Sequence, residues 1–170
     1  MTDFQEIIKT RRSIRKYLKQ TIDKEQIMQL LEAAMYAPSA RNEQPWHFIV
    51  INEREILNKI TEIHPYAAML KDAPLAILVL ADKSIEITEG YRVQDCSAAT
   101  QNILLSAHAM GLATVWLGVY PRAERILAIS QLFCLPQNIE AISIIAIGYA
   151  DEQKPFPDRF KKERIHYNNW

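Results

Sequence analysis

Residues 9–17 read KTRRSIRKY, and five of the nine side chains are cations: Lys9, Arg11, Arg12, Arg15 and Lys16. Guanidinium forks match phosphate oxygens two at a time, and Ser13 adds a hydroxyl donor, so the stretch can clasp a phosphate. The same cations also suit the end of a helix, where the macrodipole favours positive charge; composition leaves both readings open. A second stretch, PSARNEQPWHF over residues 38–48, is a loop stiffened by two prolines. Its Asn42 and Gln44 carry the paired donors and acceptors that read the edge of a heterocycle, unless Asn42 merely bonds its own backbone in a turn. A third, GLATVWLGVYP over residues 111–121, sets Gly118 inside an apolar run. Glycine there marks the close approach of a ligand or backbone, or a bulge.

Other chemistries lack their residues. The four glycines, Gly90, Gly111, Gly118 and Gly148, are too far apart for a dinucleotide fingerprint, a P-loop or a nucleophile elbow. The four histidines, His47, His64, His108 and His166, are isolated, so no dedicated metal site is expected. Nothing points to a Ser–His–Asp triad. Cys96 and Cys134 are far apart among apolar or small neighbours and read as buried thiols of a cytosolic protein. A chain with so little reactive equipment suits a bound cofactor that carries the chemistry.

The elements that must position these residues follow from periodicity. Residues 3–10 read as a short helix with a capping-box pattern from Thr2 to Gln5. Residues 23–36 form a helix that Asp23 caps and Pro38 ends, with Ile27, Leu30, Leu31, Ala34 and Met35 on one face. Strands are expected at 47–51, 75–81, 114–120 and 141–149. Further helices are expected after Asn52 as a cap, from Tyr91 to Met110 with Gly111 beyond its end, and from Pro121 to Ser130. The Tyr91–Met110 helix is rich in small residues, which suits a domain centre or a subunit interface. Helices alternating with nearly continuous apolar strands imply a sheet covered on both faces, and by pattern alone a parallel one. The final KPFPDRFKKERIHYNNW reads as an extended arm whose end could add to a sheet edge.

The chain of 170 residues is expected to be one domain with a real core, at 49% hydrophobic and 24% charged residues. Its start lacks the pattern of a signal peptide, and its longest apolar run, residues 73–81, is half a bilayer span. The net charge is zero but unevenly placed: +4 over residues 1–20, −7 over 21–153 and +3 over 154–170. Neither positive end continues as a basic stripe, which argues against nucleic acid. Both ends could instead converge on one anion.

Together, RRSIR, PSARNEQPWHF, GLATVWLG and the basic arm after AIGY resemble, in order and across essentially the whole chain, the nitroreductase family of FMN-dependent oxidoreductases. The resemblance implies an α+β fold, a three-layer α/β/α sandwich with a mixed, largely antiparallel sheet, in place of the parallel one. It also implies an intertwined homodimer with an FMN in each of two interface clefts, the arm over 151–170 crossing to the partner. By the same resemblance, Arg11, Arg12, Ser13 and Arg15 hold the FMN phosphate and ribityl chain and reach the pyrimidine side of the ring. Pro38, Ser39, Ala40 and Asn42, with Gln44 as a neighbour, belong to the loop the partner supplies. Leu117 and Gly118 bring backbone N–H groups to flavin N5, and Arg159 closes on the phosphate. The implied activity passes hydride from NADH or NADPH through FMN to a small-molecule oxidant such as a nitroaromatic or quinone, in the cytoplasm, without nucleic acid, metal or membrane. Alternatives are dehalogenation or flavin breakdown on the same scaffold, a flavin-binding redox sensor without turnover, or a phosphate-binding or partner-binding domain without flavin. The stretch over 82–90 is brief, and Tyr66, Tyr91 and His64 are candidate lid or substrate contacts.

Overall fold

Strands as apolar as LAILVLA need cover on both faces, and the structure, a computed structural model describing residues 3–87 and 89–170, supplies it. The elements are α1 (Phe4–Thr10), α2 (Lys24–Met35), β1 (Trp46–Ile51), α3 (Arg54–Ile63), β2 (Leu75–Asp82), α4 (Tyr91–Ala109), β3 (Ala113–Gly118), α5 (Ala123–Leu132) and β4 (Ile139–Gly148). Side chains alternate across the sheet. Ala76, Leu78 and Leu80 of β2 join a core with Leu57 and Ile60 of α3 and Ile129 of α5. Leu75, Ile77, Val79 and Ala81 face the other way, onto Leu30 and Ala34 of α2 and Ala99 and Ile103 of α4. The result is the α/β/α sandwich.

The sheet order is β1-β2-β4-β3, and every pair of neighbours is antiparallel. The parallel sheet read from pattern alone is therefore wrong. The apolar runs reflect burial on both faces, which helices impose on antiparallel strands too. A parallel bridge, Ser13 to Thr114, adds the segment after α1 to the edge of β3. The pairing of β2 with β4 slips by one residue: Val79 faces Ser143 and Leu80 faces Ala141. Ile142 is thus the extra residue of a bulge in β4. Beside it, the buried Thr100 hydroxyl donates to Cys96 O at 2.7 Å, which leaves Ser143 Oγ to donate to Thr100 at 2.9 Å.

Several ends differ from expectation. Asp3 caps α1 by accepting Gln5 N–H at 3.2 Å, and Thr2 lies outside the described residues. α2 opens on a capping box between Asp23 and Gln26. Glu53, not Asn52, is the N-cap of α3. Pro121 lies in the turn before α5, whose N-cap is Arg122. Gly111 adopts φ 75 just past α4, where a left-handed residue is favoured. Gly148 has a different reason: a Cβ there would lie 2.8 Å from both Pro74 Cδ and Tyr17 Cδ1. Cys96 is buried, its thiol pushed up to about 12 mainly by burial, but Cys134 is exposed at the end of α5, against the expectation of two buried thiols. The arm after β4 forms no strand within this chain and leaves Phe156, Phe160, Tyr167 and Trp170 exposed. No helix among the described residues is long and apolar enough to cross a membrane.

Candidate functional site

The segment after α1 runs along the outer edge of β3. Ile14 N–H donates to Thr114 O at 2.9 Å, and the Ser13–Thr114 bridge is parallel. In that register Arg11 lies beside the start of β3 and Arg15 towards its end, about 13 Å of strand apart at about 3.3 Å per residue. A cavity opens at each end. One, of about 250 Å³, is lined by Arg11, Arg12, His108, Gly111 and Thr114 among others. The other, of about 410 Å³, has Arg15, His64, Tyr66, Trp116, Gly118 and Arg125 in its wall. β3 thus joins a cationic recess to a wider cleft with aromatic walls.

At the first end the two positive termini do meet. The charged form of half-buried Arg11 is disfavoured, first by burial and then by the charges of Arg159 and Arg12. Among the described residues no ion pair holds Arg11, Arg12, Arg15 or Arg159. Arg12 is committed to backbone: its guanidinium donates to Lys9 O at 2.8 Å, Arg11 O at 2.7 Å and Pro155 O at 3.0 Å, and lies 5.0 Å from the Phe156 ring centroid. It therefore latches the arm. Lys154, which the sequence reading did not single out, donates to Ser13 O at 2.6 Å from the same arm. Arginines gathered without an acid fit a phosphate, which supplies several charge-assisted acceptors at once.

At the second end Gly118 is no bulge, since β3 and β4 pair without a shift. The bulge lies across from it at Ile142, whose carbonyl accepts both Val119 N–H at 3.2 Å and Tyr120 N–H at 3.0 Å. Gly118 O is held by side chains: Arg125 Nη1 donates at 2.9 Å and His64 Nε2 at 3.0 Å. His64 Nδ1 accepts Tyr66 N–H at 3.2 Å, so both ring nitrogens are satisfied by the neutral Nε2–H tautomer. Burial and then Arg125 lower the His64 pKa, against the opposing bond to Gly118. Tyr66 is exposed, its ring 5.3 Å from the Arg125 guanidinium carbon. A Cβ on Gly118 would meet only Tyr120 O, at 3.9 Å. Packing within this chain therefore does not demand glycine there.

The second stretch stands apart: no residue of the Pro38–Gln44 loop lines either cavity. Arg41, Asn42 and Gln44 adopt φ 51, 58 and 51, left-handed conformations that cost non-glycine residues energy and recur at functional sites. Gln44 N–H donates to Ser39 Oγ at 3.0 Å, and Gln44 Nε2 to Asn42 Oδ1 at 2.8 Å. Asn42 thus pairs with Gln44 and not with its own backbone. Buried Asp95 of α4 accepts Ala40 N–H at 3.0 Å. Among the described residues, its Oδ2 and Glu43 Oε1 are buried without a hydrogen-bond partner. Asp95, Lys154 and Arg125 went unnoticed in the sequence, and His108 was set aside as an isolated histidine, because no spacing marks them; they act through tertiary contacts.

The sequence profile of the Nitroreductase family matches residues 8–65 and 62–149, and the chain belongs to that family. A protein of Methanothermobacter thermautotrophicus, assigned as an NADH dehydrogenase/NAD(P)H nitroreductase, is 52% identical over 168 residues, covering 99% of this chain and 88% of its own. A crystal structure from Parabacteroides distasonis with the same assignment superposes with a TM-score of 0.95 at 37% identity, all of both chains being covered. A protein of Desulfovibrio desulfuricans assigned as a nitroreductase, solved in complex with FMN, gives 0.86 at 30% identity over 100% of this chain and 99% of its own.

Proposed function

We propose that the chain is an FMN-dependent NAD(P)H oxidoreductase of one domain. The cluster of Arg11, Arg12 and Arg159, drawn from both ends of the chain and without an acid partner among the described residues, carries the reading. FMN supplies the chemistry when bound, accepting hydride from NADH or NADPH at N5 and passing it to an oxidant such as a nitroaromatic or quinone in a ping-pong sequence. The residues bind and orient. Arg11 and Arg159 hold the phosphate, with Arg12 and Lys154 fixing the arm beside it. Ser13 lies midway along the strand for the ribityl chain, and Arg15 lies at the ring end, where positive charge favours the reduced cofactor. Leu117 and Gly118 offer backbone N–H groups at a strand end that His64 and Arg125 immobilise. No side chain is needed as a covalent nucleophile.

The site is completed in a homodimer. The Pro38, Ser39, Ala40, Asn42 and Gln44 loop, which reaches neither cavity of its own chain, is supplied to a second copy. The arm over 151–170, with its exposed Phe156, Phe160, Tyr167 and Trp170, crosses to that copy. An apolar recess of about 460 Å³ between α1, α2 and α4, including Phe4, Ile7, Ala33, Tyr36, Leu105 and Ala109, offers the matching surface. The enzyme works in the cytoplasm, with no nucleic-acid or membrane partner.

The test is a visible spectrum of purified protein loaded with FMN, freed of excess and mixed with NADH, then NADPH, without oxygen. Retained flavin that bleaches with either donor is the expected result. Retained flavin that bleaches with neither supports a binding module without turnover, and a colourless protein overturns the reading.

A further inference from the structure

We propose that His108 is the proton-accepting member of the phosphate site: an FMN phosphate entering the recess beside Arg11 draws a proton from solvent onto His108 Nδ1. This rests on the FMN reading above. The recess of about 250 Å³ is lined by Thr10, Arg11, Arg12, His108 and Thr114, and its wall contains no carboxylate.

The hydrogen bonds fix which nitrogen is free. Thr10 Oγ1 gives its only proton to Glu6 O at 2.6 Å. Its contact with His108 Nε2, at 2.8 Å, therefore has the imidazole as donor. Neutral His108 is the Nε2–H tautomer, and among the described residues Nδ1 has no hydrogen-bond partner. Protonation at Nδ1 breaks nothing. His64 is the opposite case, because its Nδ1 already accepts Tyr66 N–H.

The electrostatics are poised. His108 lies in the last turn of α4, where the helix dipole favours a cation. Without an anion, burial and then Arg11 and Arg12 hold its pKa below the usual histidine value. The other ionisable side chains on elements packed against α4 are Glu6 and Lys9 of α1, Lys24, Glu25 and Glu32 of α2, His47 of β1, Arg41 of the loop, Asp82 of β2 and Glu140 of β4. None of these acts on the imidazole as Arg11 and Arg12 do, and β3 carries none. A phosphate dianion between the arginines cancels the repulsion and adds an attraction, so the imidazole takes up a proton.

The experiment is titration calorimetry with FMN and with riboflavin, in two buffers of different ionisation enthalpy, on the wild-type protein and on His108→Gln. About pH 7.5 is suitable because a phosphate monoester, with a second pKa near 6, is then largely a dianion. The wild type is expected to take up about half a proton with FMN and none with riboflavin. His108→Gln loses the uptake, and its FMN affinity is about tenfold weaker near pH 6.5, converging with the wild type near pH 8.5, tenfold corresponding to one unit of pKa. Equal proton uptake in the two proteins, or equal uptake with the two flavins, overturns the inference. The FMN–riboflavin difference in the wild type decides the matter even if the variant does not fold. Binding of neither flavin overturns the FMN reading itself, whereas FMN binding without proton exchange overturns only the role of His108.

Discussion

Replacing Asp95 with asparagine is expected to stabilise the protein, and the gain grows with pH. Asp95 is only 5% exposed, and it uses one oxygen to accept Ala40 N–H. Its other oxygen and Glu43 Oε1 are both buried acceptors without donors among the described residues. Burial, and beyond it the charges of Glu43 and Glu86, raise the carboxyl pKa above 3.8 against the Ala40 bond. A raised pKa contributes stability that is complete below the unfolded value and is lost as pH rises through the folded one. The wild type therefore forfeits stability between acid and neutral pH that an amide keeps. In Asp95→Asn the amide oxygen still accepts from Ala40, and the N–H₂ group comes to a place short of donors. An unsatisfied buried group costs about 1–3 kcal/mol; removing part of that cost gives about 1 kcal/mol near pH 7, or about 2–4 °C in Tm for a chain of this size. The assay is urea unfolding of both proteins at fixed concentration, near pH 4 and near pH 7. A variant no more stable near pH 7, or a gain of equal size at both pH values, would refute the reasoning.

Gly148→Ala pushes a methyl into Pro74 and the Tyr17 ring at 2.8 Å, and such overpacking costs about 1–3 kcal/mol; an unchanged Tm would show that Tyr17 moves aside freely. His64→Gln keeps an N–H for Gly118 O but cannot titrate. Because the folded His64 pKa is lowered, the wild type gains stability as pH rises towards 6.5 and loses it as pH falls through the folded pKa. The variant should therefore show less loss between about pH 7.5 and 5.5 in urea unfolding, and parallel pH profiles would contradict this. Arg15→Ala is expected to weaken FMN retention or lower the flavin potential, read by spectral titration against a redox dye; unchanged retention and potential would remove Arg15 from the site.

Much of the fold was legible because its signals are local. The face of α2, the cap at Asp23 and the apolar run of β2 require only near neighbours, and they stand where periodicity put them. Strand direction was not legible from periodicity, because burial on both faces looks the same in parallel and antiparallel sheets. Only the family resemblance corrected it. A bulge was one of two readings of Gly118, because glycine marks irregular strands, yet the bulge lies at Ile142, whose side chain is an ordinary one for a strand. In the site, arginines at both ends announced themselves by charge, and the structure brings Arg11 and Arg159 together. His108 and Arg125 gave no signal, since each matters through a tertiary partner that no spacing rule connects to it: Thr10 for the first, 98 residues away, and Gly118 for the second, 7 residues away.

The exit of β3 is held from two sides, by the irregularity at Ile142 and by side chains on its outer edge. A regular edge strand would leave the sheet with its last groups free for water or for another strand. Here the extra residue turns one carbonyl towards the exit of β3, and Val119 and Tyr120 both bond to it. The Gly118 carbonyl points away from β4, as the Thr114 carbonyl does four residues earlier in the same alternation, and meets side-chain donors there, His64 after α3 and Arg125 on α5. A buried carbonyl without a partner would cost as much as a lost hydrogen bond, so on this outer edge the two side chains supply what a neighbouring strand would. The bulge is itself held from the opposite layer by Thr100 of α4 through Ser143. Both helical layers therefore converge on the same few ångströms of backbone. They tie down a strand end that presents no side chain at Gly118, the open backbone that the proposed flavin site uses.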